Sequence, residues 1–208
     1  IGYLDEADLT DSYATGTVTG QSAGAGGGLI GGAMDSSISD VFATGAVTGA
    51  SAYAGGLVGE IENTTISDAY ATGAVVATFA GGLVGLAAGS GSISDVDATG
   101  SVATTNCSSG CLAGGIVGGR YPANIFTGTT VTPISNAYWD DQTTGASVGG
   151  YDVIATEIPP NSVFFSGNAI AGLSGSTTAQ LQGSLPAGLR AATWGTGTGL
   201  YPFLWTFF

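Results

Sequence analysis

The sequence predicts an all-β fold, a parallel β-helix in which short repeats stack as coils. A strand-like phrase that ends in Ala-Thr-Gly recurs along the chain, and a Gly-Gly-Leu-Val-Gly type of phrase closes each repeat. The alanines of the first phrase are spaced by 29, 28 and 27 residues and lie at Ala14, Ala43, Ala71 and Ala98. A period of this length in β-type residues, with few helix formers, indicates a stacked solenoid.

The composition fits a single elongated domain with an acidic surface. The chain has 208 residues, of which 44% are hydrophobic and 8% charged, so it has enough apolar surface for a core and is not a disordered glycine-rich polymer. Fifteen acidic residues against two basic ones give a formal charge of −13, which disfavours nucleic acid and anionic lipid as partners. No apolar run approaches the ~18 residues that span a bilayer, so we expect no membrane insertion.

The start phrase of each repeat predicts a strand with apolar residues facing the interior. Stacking the repeats aligns Leu9, Ile38, Ile66, Ile93 and Ile134 in one column. In a parallel sheet such residues lie ~4.8 Å apart and fill the core as a ladder. Ile38 and Ala43 are an odd number of positions apart, so both face inward only if a turn or bulge at Ser39-Asp40 interrupts the alternation.

The rest of each repeat predicts further strands and the corners between them. Its apolar residues align as Val18, Val47, Val75 and Val102, and as Leu29, Leu57, Leu83 and Ile116. The repeated glycines would mark corners with a positive φ or places where the coils approach closely. We therefore expect three short strands in each coil of 27 to 29 residues.

The array ends after a fifth start phrase. Residues 132–139 repeat that phrase, but Asp140-Asp141 replaces Thr-Gly and no closing phrase follows. We predict a solenoid of about four to five coils at residues 1–145, and a C-terminal capping region at residues 146–208 that packs on it.

The capping region contains one predicted helix and a cluster of aromatic residues. The helix-like stretch is 177–182, with Thr177 and Gln180 at the spacing of a capping box and Gly183 after its end. The aromatic residues, too concentrated to be left in water, are Trp194, Tyr201, Phe203, Trp205, Phe207 and Phe208. We expect them to cover the last coil or to form an assembly joint with a neighbouring molecule.

The two cysteines, Cys107 and Cys111, lie in the longer interval of the fourth repeat. The chain has no histidine, and two thiolates alone do not complete a tetrahedral zinc site. We therefore predict a local disulfide that closes a turn, with a pair of free thiols as the alternative.

An aspartate recurs near the start of four successive repeats, at Asp11, Asp40, Asp68 and Asp95. Stacked at ~4.8 Å, such carboxylates repel one another by about 1 kcal/mol per neighbouring pair in water, so something must offset the repulsion. We predict that each aspartate accepts hydrogen bonds from backbone N–H or hydroxyl donors at its own turn, and that no cofactor is needed. The alternative is a cation ladder in which Ca²⁺ bridges neighbouring carboxylates, although the calcium-binding nonapeptide pattern is absent.

Two further columns are predicted on the outside of the solenoid. The threonines are Thr15, Thr44, Thr72 and Thr99, and the aromatic residues are Tyr13, Phe42, Tyr70 and Tyr138, interrupted at Asp97. The aromatic ladder would stack on sugar rings or on a partner protein, or it would stabilise the sheet by stacking between coils. We prefer the interpretation in which the rings stack between coils and stabilise the sheet.

The Gly-Gly-Leu-Val-Gly phrases, together with Ile-Ser-Asp-x-Tyr-Ala-Thr-Gly, resemble the GLUG-motif repeats of large bacterial surface and secreted proteins, including filamentous-haemagglutinin-like adhesins. The tail phrases at residues 137–145, 173–182 and 201–205 are similar to the segment that commonly closes such arrays. The resemblance covers nearly the whole chain. It implies a right-handed parallel β-helix that is exported to the bacterial cell surface.

The sequence and the resemblance together favour a structural and adhesive role. The hypothesis is an extracellular β-helical stalk that makes multivalent contacts with a host or cell-surface protein or glycan. The alternative is a self-assembling fibre subunit, in which coils stack head to tail. An exported carbohydrate-active enzyme that uses Asp140-Asp141, or Asp95 with Asp97, is a minor alternative. Because the chain has no histidine and only two arginines, we expect no enzymatic activity.

Overall fold

Each full coil of the solenoid contributes one strand to each of four parallel sheets. The structure is a computed structural model that describes residues 1–20, 24–49, 52–105, 110–121, 131–158 and 162–208, and the side chains of these residues other than 154–165. Sheet 1 contains β1 (Tyr3–Asp5), β5 (Ile30–Met34), β9 (Val58–Glu62), β13 (Val84–Ala88), β17 (Val117–Tyr121), β19 (Gly150–Ile158) and β20 (Ser162–Ala169). Sheet 2 contains β2 (Asp8–Ala14), β6 (Ser37–Ala43), β10 (Thr65–Ala71), β14 (Ile93–Ala98) and β18 (Ile134–Trp139).

The other two sheets are built from strands of three residues. Sheet 3 contains β3 (Val18–Gly20), β7 (Val47–Gly49), β11 (Val75–Ala77) and β15 (Val102–Thr104). Sheet 4 contains β4 (Ala25–Gly27), β8 (Tyr53–Gly55), β12 (Phe79–Gly81) and β16 (Leu112–Gly114). The expectation of three strands per coil was therefore wrong. The extra strand comes from the start of the closing phrase, whose glycines have low β-propensity but pair in register between coils.

The predicted isoleucine column is confirmed. Ile38, Ile66 and Ile93 pair in register across β6, β10 and β14, and each is fully buried. Leu57 and Leu83 are fully buried in the same core. Each such side chain contributes about 1.5–3 kcal/mol through the area it removes from water, and this burial offsets the chain entropy of a glycine-rich sequence. The valine column lies in a second cluster, with Val47, Val75 and Val102.

The bulge predicted at Ser39-Asp40 is also confirmed. Register pairing between β6 and β10 skips Asp40, whose φ is 51°. That left-handed conformation is tolerated better by aspartate and asparagine than by most other residues. As a result Ile38 and Ala43 both face the interior and are fully buried.

The repeated glycines allow close approach and do not provide the positive φ at these bulges. A Cβ on Gly56 would overlap the carbonyl oxygen of Gly82 and would lie 2.8 Å from the Cβ of Ala71. The glycine phrase and the Ala-Thr-Gly phrase therefore face each other across a narrow part of the core. The positive φ is found at the bulge residue of each coil: Asp11, Asp40, Asp68, Asp95 and Asn136.

The C-terminal end of the solenoid is closed. Trp139 takes the column position that alanine holds in the other coils, is 1% exposed and packs against Gly115. Parallel pairing continues beyond residue 145, because β19 pairs with β17, and β20 then pairs antiparallel with β19. Arg120 on β17 is almost buried and donates from Nε to Oδ1 of Asp152 on β19 at 2.7 Å, which ties the last strands together.

The N-terminal end is open by comparison. The strands of the first coil, β1 to β4, lie at the edges of their sheets. Their core-side residues are only partly buried: Leu4, Leu9, Ala14 and Val18. Asp5, Glu6 and Asp8 are exposed along this end, and charged side chains at an open edge oppose further strand pairing.

The predicted helix is confirmed as α1 (Thr178–Leu181). Thr177 is its N-cap, and both hydrogen bonds of the capping box with Gln180 are present. Within the ranges that the structure describes, no helix has the length and apolar character needed to cross a membrane.

Residues 185–208, which we call the strap, lie along the outer face of sheet 2. The strap contains the antiparallel hairpin of β21 (Trp194–Gly197) and β22 (Leu200–Leu204), followed by a 3-10 turn at Trp205–Phe207. Its residues Leu189, Trp194 and Leu204 are buried together with Tyr70 of β10. The strap contacts the last coil, as expected, through Tyr138 and Asp140, but it also extends along the side of the solenoid to Tyr13 of the first coil. Trp139 and Leu173 already pack at that end, whereas the aromatic rings of sheet 2 offer apolar surface along the side.

Candidate functional site

The strap and the outer face of sheet 2 bring together most of the residues that the sequence singled out. The aspartate column lies there, one residue per coil. Burial raises the pKa of Asp40, the negative charges of Asp68 and Asp11 raise it further, and Arg190 lowers it. The expected repulsion within the column is therefore present, and the strap supplies the opposing positive charge.

Asp68 is held by the strap and not by the donors that we expected. Its Oδ1 accepts a hydrogen bond from Nε1 of Trp194 at 2.9 Å, and its Oδ2 accepts one from the Arg190 guanidinium at 3.2 Å. One coil further on, Asp95 accepts from the side-chain amide of Asn136 at 2.8 Å. The expectation of backbone or hydroxyl donors was thus wrong for Asp68, which accepts from an indole and a guanidinium, and for Asp95, which accepts from a side-chain amide.

The part of the chain that the structure describes contains no group of three or more His, Cys, Asp or Glu side chains able to hold a metal ion.

The sequence did not predict a role for Arg190 in the aspartate column. The signal that would have found it is its rarity, because a chain with 15 acidic residues has only two cations to distribute among them.

The aromatic column forms a stack between coils. The rings of Tyr13 and Phe42 are parallel at 5.0 Å between centroids, and those of Phe42 and Tyr70 are parallel at 4.8 Å. Phe207 of the strap meets Phe42 edge-on at 4.8 Å, and Trp194 lies 6.2 Å from Tyr70. The stack is therefore partly covered by the strap, and Tyr13, at 59% exposure, is its open end.

Of the remaining C-terminal aromatic residues, some pack against other side chains and others are exposed to solvent. Phe203 packs edge-on against Trp205 and Phe208, with centroids at 5.0 Å and 4.7 Å. Trp205 is 48% exposed and Phe208 is 82% exposed, so these two rings lie at the surface of the strap. Tyr201 contacts the solenoid through its hydroxyl.

The threonine column lies at the corner between sheets 2 and 3. Thr15, Thr44 and Thr72 are exposed, whereas Thr99 is nearly buried near the closed end. In the fifth coil the same column position is taken by Asp140, whose backbone N–H donates to the carbonyl oxygen of Ala98 at 3.2 Å.

Asp140 is fully buried and is surrounded by donors. Its Oδ1 accepts from the backbone N–H groups of Gln142 and Thr143 at 2.9 Å and 3.1 Å. Its Oδ2 accepts from the hydroxyls of Thr178 at 2.6 Å and Tyr201 at 2.7 Å. Burial by itself raises the pKa of Asp140, but these four hydrogen bonds together hold it below its ordinary value. Asp140 therefore fastens α1 and the strap to the last coil.

The pKa of Asp97, in contrast to that of Asp140, lies above its ordinary value. Asp97 lies on β14 at the aromatic column, in register between Tyr70 and Tyr138, and is 1% exposed. Burial raises its pKa to about 8, the negative charge of Asp140 raises it as well, and the backbone N–H of Ala98 opposes the shift. Neither carboxyl is accessible to a substrate in this arrangement. In the sequence, Asp97 stands where the other coils have an aromatic residue, and this substitution is the signal that the position is unusual.

Removal of the Tyr201 hydroxyl is expected to destabilise the closed end. The variant Tyr201→Phe leaves Asp140 with one donor fewer, and a hydrogen bond to a charged group contributes about 1.5–3 kcal/mol. The lowered pKa of Asp140 means that its stabilisation is present at neutral pH and is lost as the pH falls through the folded-state pKa, so Tyr201→Phe should lose stability mainly above that pH. Urea denaturation at several pH values measures this, with Tyr13→Phe at an exposed ring as the control. Equal midpoints for the two variants at pH 7 would contradict the assigned role.

The predicted disulfide between Cys107 and Cys111 includes a residue outside the described ranges, because the structure describes Cys111 but not Cys107. The disulfide stays a prediction.

Comparison with known proteins identifies the repeat. Residues 22–48 and 50–76 match the GLUG motif. Each stretch runs from the residues before a Gly-Gly-Leu phrase to those that follow the next Ala-Thr-Gly phrase, so each holds about one coil. No curated protein and no solved structure matches the chain.

Proposed function

We propose that the chain is a structural and adhesive segment of an exported bacterial surface protein, a rigid solenoid that makes multivalent contacts through rows of repeated side chains. The observation that carries this proposal is the register of the sheets, which places equivalent residues of successive coils side by side. Weak contacts repeated at one coil spacing add up when the partner surface is also repetitive. The proposed role is non-catalytic.

The row proposed for contact is that of Thr15, Thr44 and Thr72. These hydroxyls are exposed, whereas the strap covers much of the aromatic column. Because a hydroxyl both donates and accepts hydrogen bonds, the row suits a host or cell-surface protein or glycan. The charge of −13 supports an extracellular setting and disfavours nucleic acid and anionic membranes as partners. The likeness to GLUG repeats of bacterial surface proteins supports the same setting.

A head-to-tail fibre receives less support from the structure. Such a fibre needs an open coil at each end of the molecule. Edge strands are present at both ends of the described sheets, but at the C-terminal end Trp139 fills the core, and β19 and β20 extend sheet 1 beyond β17. The stalk is therefore the function that we propose.

The proposal is tested by comparing single and clustered copies of the chain. The chain coupled densely to beads should bind cells or immobilised surface glycans and proteins, while the same chain free in solution should bind at least tenfold more weakly. A variant with Thr15, Thr44 and Thr72 replaced by alanine should lose the bead binding.

The matched control replaces three exposed threonines that do not form a row, Thr10, Thr65 and Thr206, with alanine. This control should bind like the original chain. Binding by neither form on any surface would refute the adhesive role, and filaments of the purified chain in electron microscopy would favour the fibre instead.

A further inference from the structure

Asp97 is a buried carboxyl group with an unpaired oxygen, and its two neighbours in the aromatic column, Tyr70 and Tyr138, both contact the strap. Among the described side chains, its Oδ1 is one of two buried polar atoms without a hydrogen-bond partner, and the other is Oγ1 of Thr196 on β21 of the strap. One unpaired atom belongs to the solenoid and the other to the strap, which packs on the rings on either side of Asp97. A buried polar group without a partner carries most of its desolvation cost, and the cost is larger for a charge.

The surroundings of Asp97 contain no cation that is available to it. The ionisable groups on the neighbouring elements are Asp95 on its own strand, Asp68 and Tyr70 on β10, Tyr138 and Asp140 at the end of sheet 2, and Arg190 and Tyr201 on the strap. Arg190 is already paired with Asp68, and the oxygens of Asp140 accept four hydrogen bonds. An ionised Asp97 would therefore add a second negative charge near Asp140 with nothing to balance it.

We propose that Asp97 is a pH-sensitive latch for the strap, which stays closed over sheet 2 while Asp97 is protonated and loosens when Asp97 ionises. Loosening the strap hydrates the carboxyl group and separates Trp194 and Phe207 from the stacked rings that they cover. The latch concerns this contact only and does not depend on the adhesive role proposed above.

The direction of the effect follows from the two protonation states. With the strap open, Asp97 is in water and has an ordinary pKa of about 3.9. With the strap closed, burial and the Asp140 charge raise the pKa to about 8. Closure is therefore favoured by acid, weakens as the pH rises above about 4, and stops changing above the closed-state pKa. For these two values the opening equilibrium rises by up to roughly a hundredfold between pH 6 and pH 9.

Trypsin provides a direct test, because the chain has no lysine and only the arginines Arg120 and Arg190. Arg190 lies on the strap, and its carbonyl oxygen accepts from the N–H groups of Thr193 and Trp194 at 2.9 Å and 2.8 Å, so the closed strap holds the bond in a turn. Arg120 is nearly buried within β17. Cleavage after Arg190 thus reports loosening of the strap, and cleavage after Arg120 reports unfolding of the solenoid.

The rate of cleavage after Arg190, divided by the rate for an unstructured arginine peptide at the same pH, should rise at least tenfold between pH 6 and pH 9. Arg120 should stay uncut over that range. Asp97→Asn should abolish the rise, because an amide of the same shape does not ionise. Asp95→Asn, two residues away on the same strand, should keep it.

A flat profile for the original chain, a rise that persists in Asp97→Asn, or simultaneous cleavage at both arginines would each overturn the latch. If Asp97→Asn does not fold, the carboxyl carbon shift of Asp97 in the original chain, followed by NMR, replaces the variant. The proposal requires that this signal titrate over the same pH range as the cleavage, and an Asp97 that titrates near pH 4 would refute it.

Discussion

Replacement of Gly56 by alanine is expected to destabilise the solenoid by about 3 kcal/mol or more, at the upper end of what overpacking costs. The added Cβ would overlap the carbonyl oxygen of Gly82 in the next coil and press on Ala71 across the core. Both obstacles belong to the sheets themselves, so neither moves without disturbing the parallel pairing. Chemical denaturation followed by circular dichroism measures the loss.

Gly16→Ala is the matched control for this variant. Gly16 lies in the first coil, and a Cβ there would meet nothing within 4 Å. Its φ is outside the left-handed range, so alanine should be neutral or slightly stabilising, since it restricts the unfolded chain. Equal denaturation midpoints for the two variants would show that the glycine column does not limit the spacing of the coils.

Trp139→Ala is expected to cost about 3–5 kcal/mol, as for other large buried aromatic residues. The change restores the alanine of the other coils, but in the fifth coil the ring packs against Gly115, Gly149 and Gly175 and closes the end of the core. Its indole N–H also donates to the carbonyl oxygen of Ala146 at 3.2 Å. Loss of the ring should therefore lower the denaturation midpoint and promote association through the exposed end.

Trp205→Ala is the control for this variant, because it removes a tryptophan that does not close the core. Trp205 lies on the strap and is 48% exposed, so its removal should cost much less. Size-exclusion chromatography of both variants separates association from simple loss of stability. A Trp139→Ala variant as stable and as monomeric as Trp205→Ala would mean that the last coil is closed by other residues.

The repeat made the solenoid core predictable from the sequence. The spacing of Ile38, Ile66 and Ile93 is enough to place them in one ladder, because residues one coil apart in a parallel sheet must be neighbours. The odd separation of Ile38 and Ala43 then required an interruption, which the structure places at Asp40. The fourth strand was harder to predict, since three residues rich in glycine carry too little alternation to be read as a strand.

The sequence contains no comparable signal for the position of the strap. Its contacts join residues far apart in the sequence, such as Asp68 with Arg190 and Trp194, and no period relates them. The excess of acidic over basic residues indicates that the two arginines are important, but it does not predict which carboxylates they pair with. The same holds for Asp97, whose column neighbours contact the strap: the sequence showed the interruption of the aromatic column but not that Asp97 is buried.

The strap also changes how the repeats depend on one another. In an array where each coil touches only its neighbours, a coil at an open end can detach without disturbing the far end. Here Phe207 lies against Tyr13 of the first coil, while the Tyr201 hydroxyl is bonded to Asp140 and the Tyr138 hydroxyl to the carbonyl oxygen of Ala187 at the fifth. A first coil that frays must also give up a contact anchored four coils away. The array is thereby coupled over its whole length and should lose its structure as one cooperative unit.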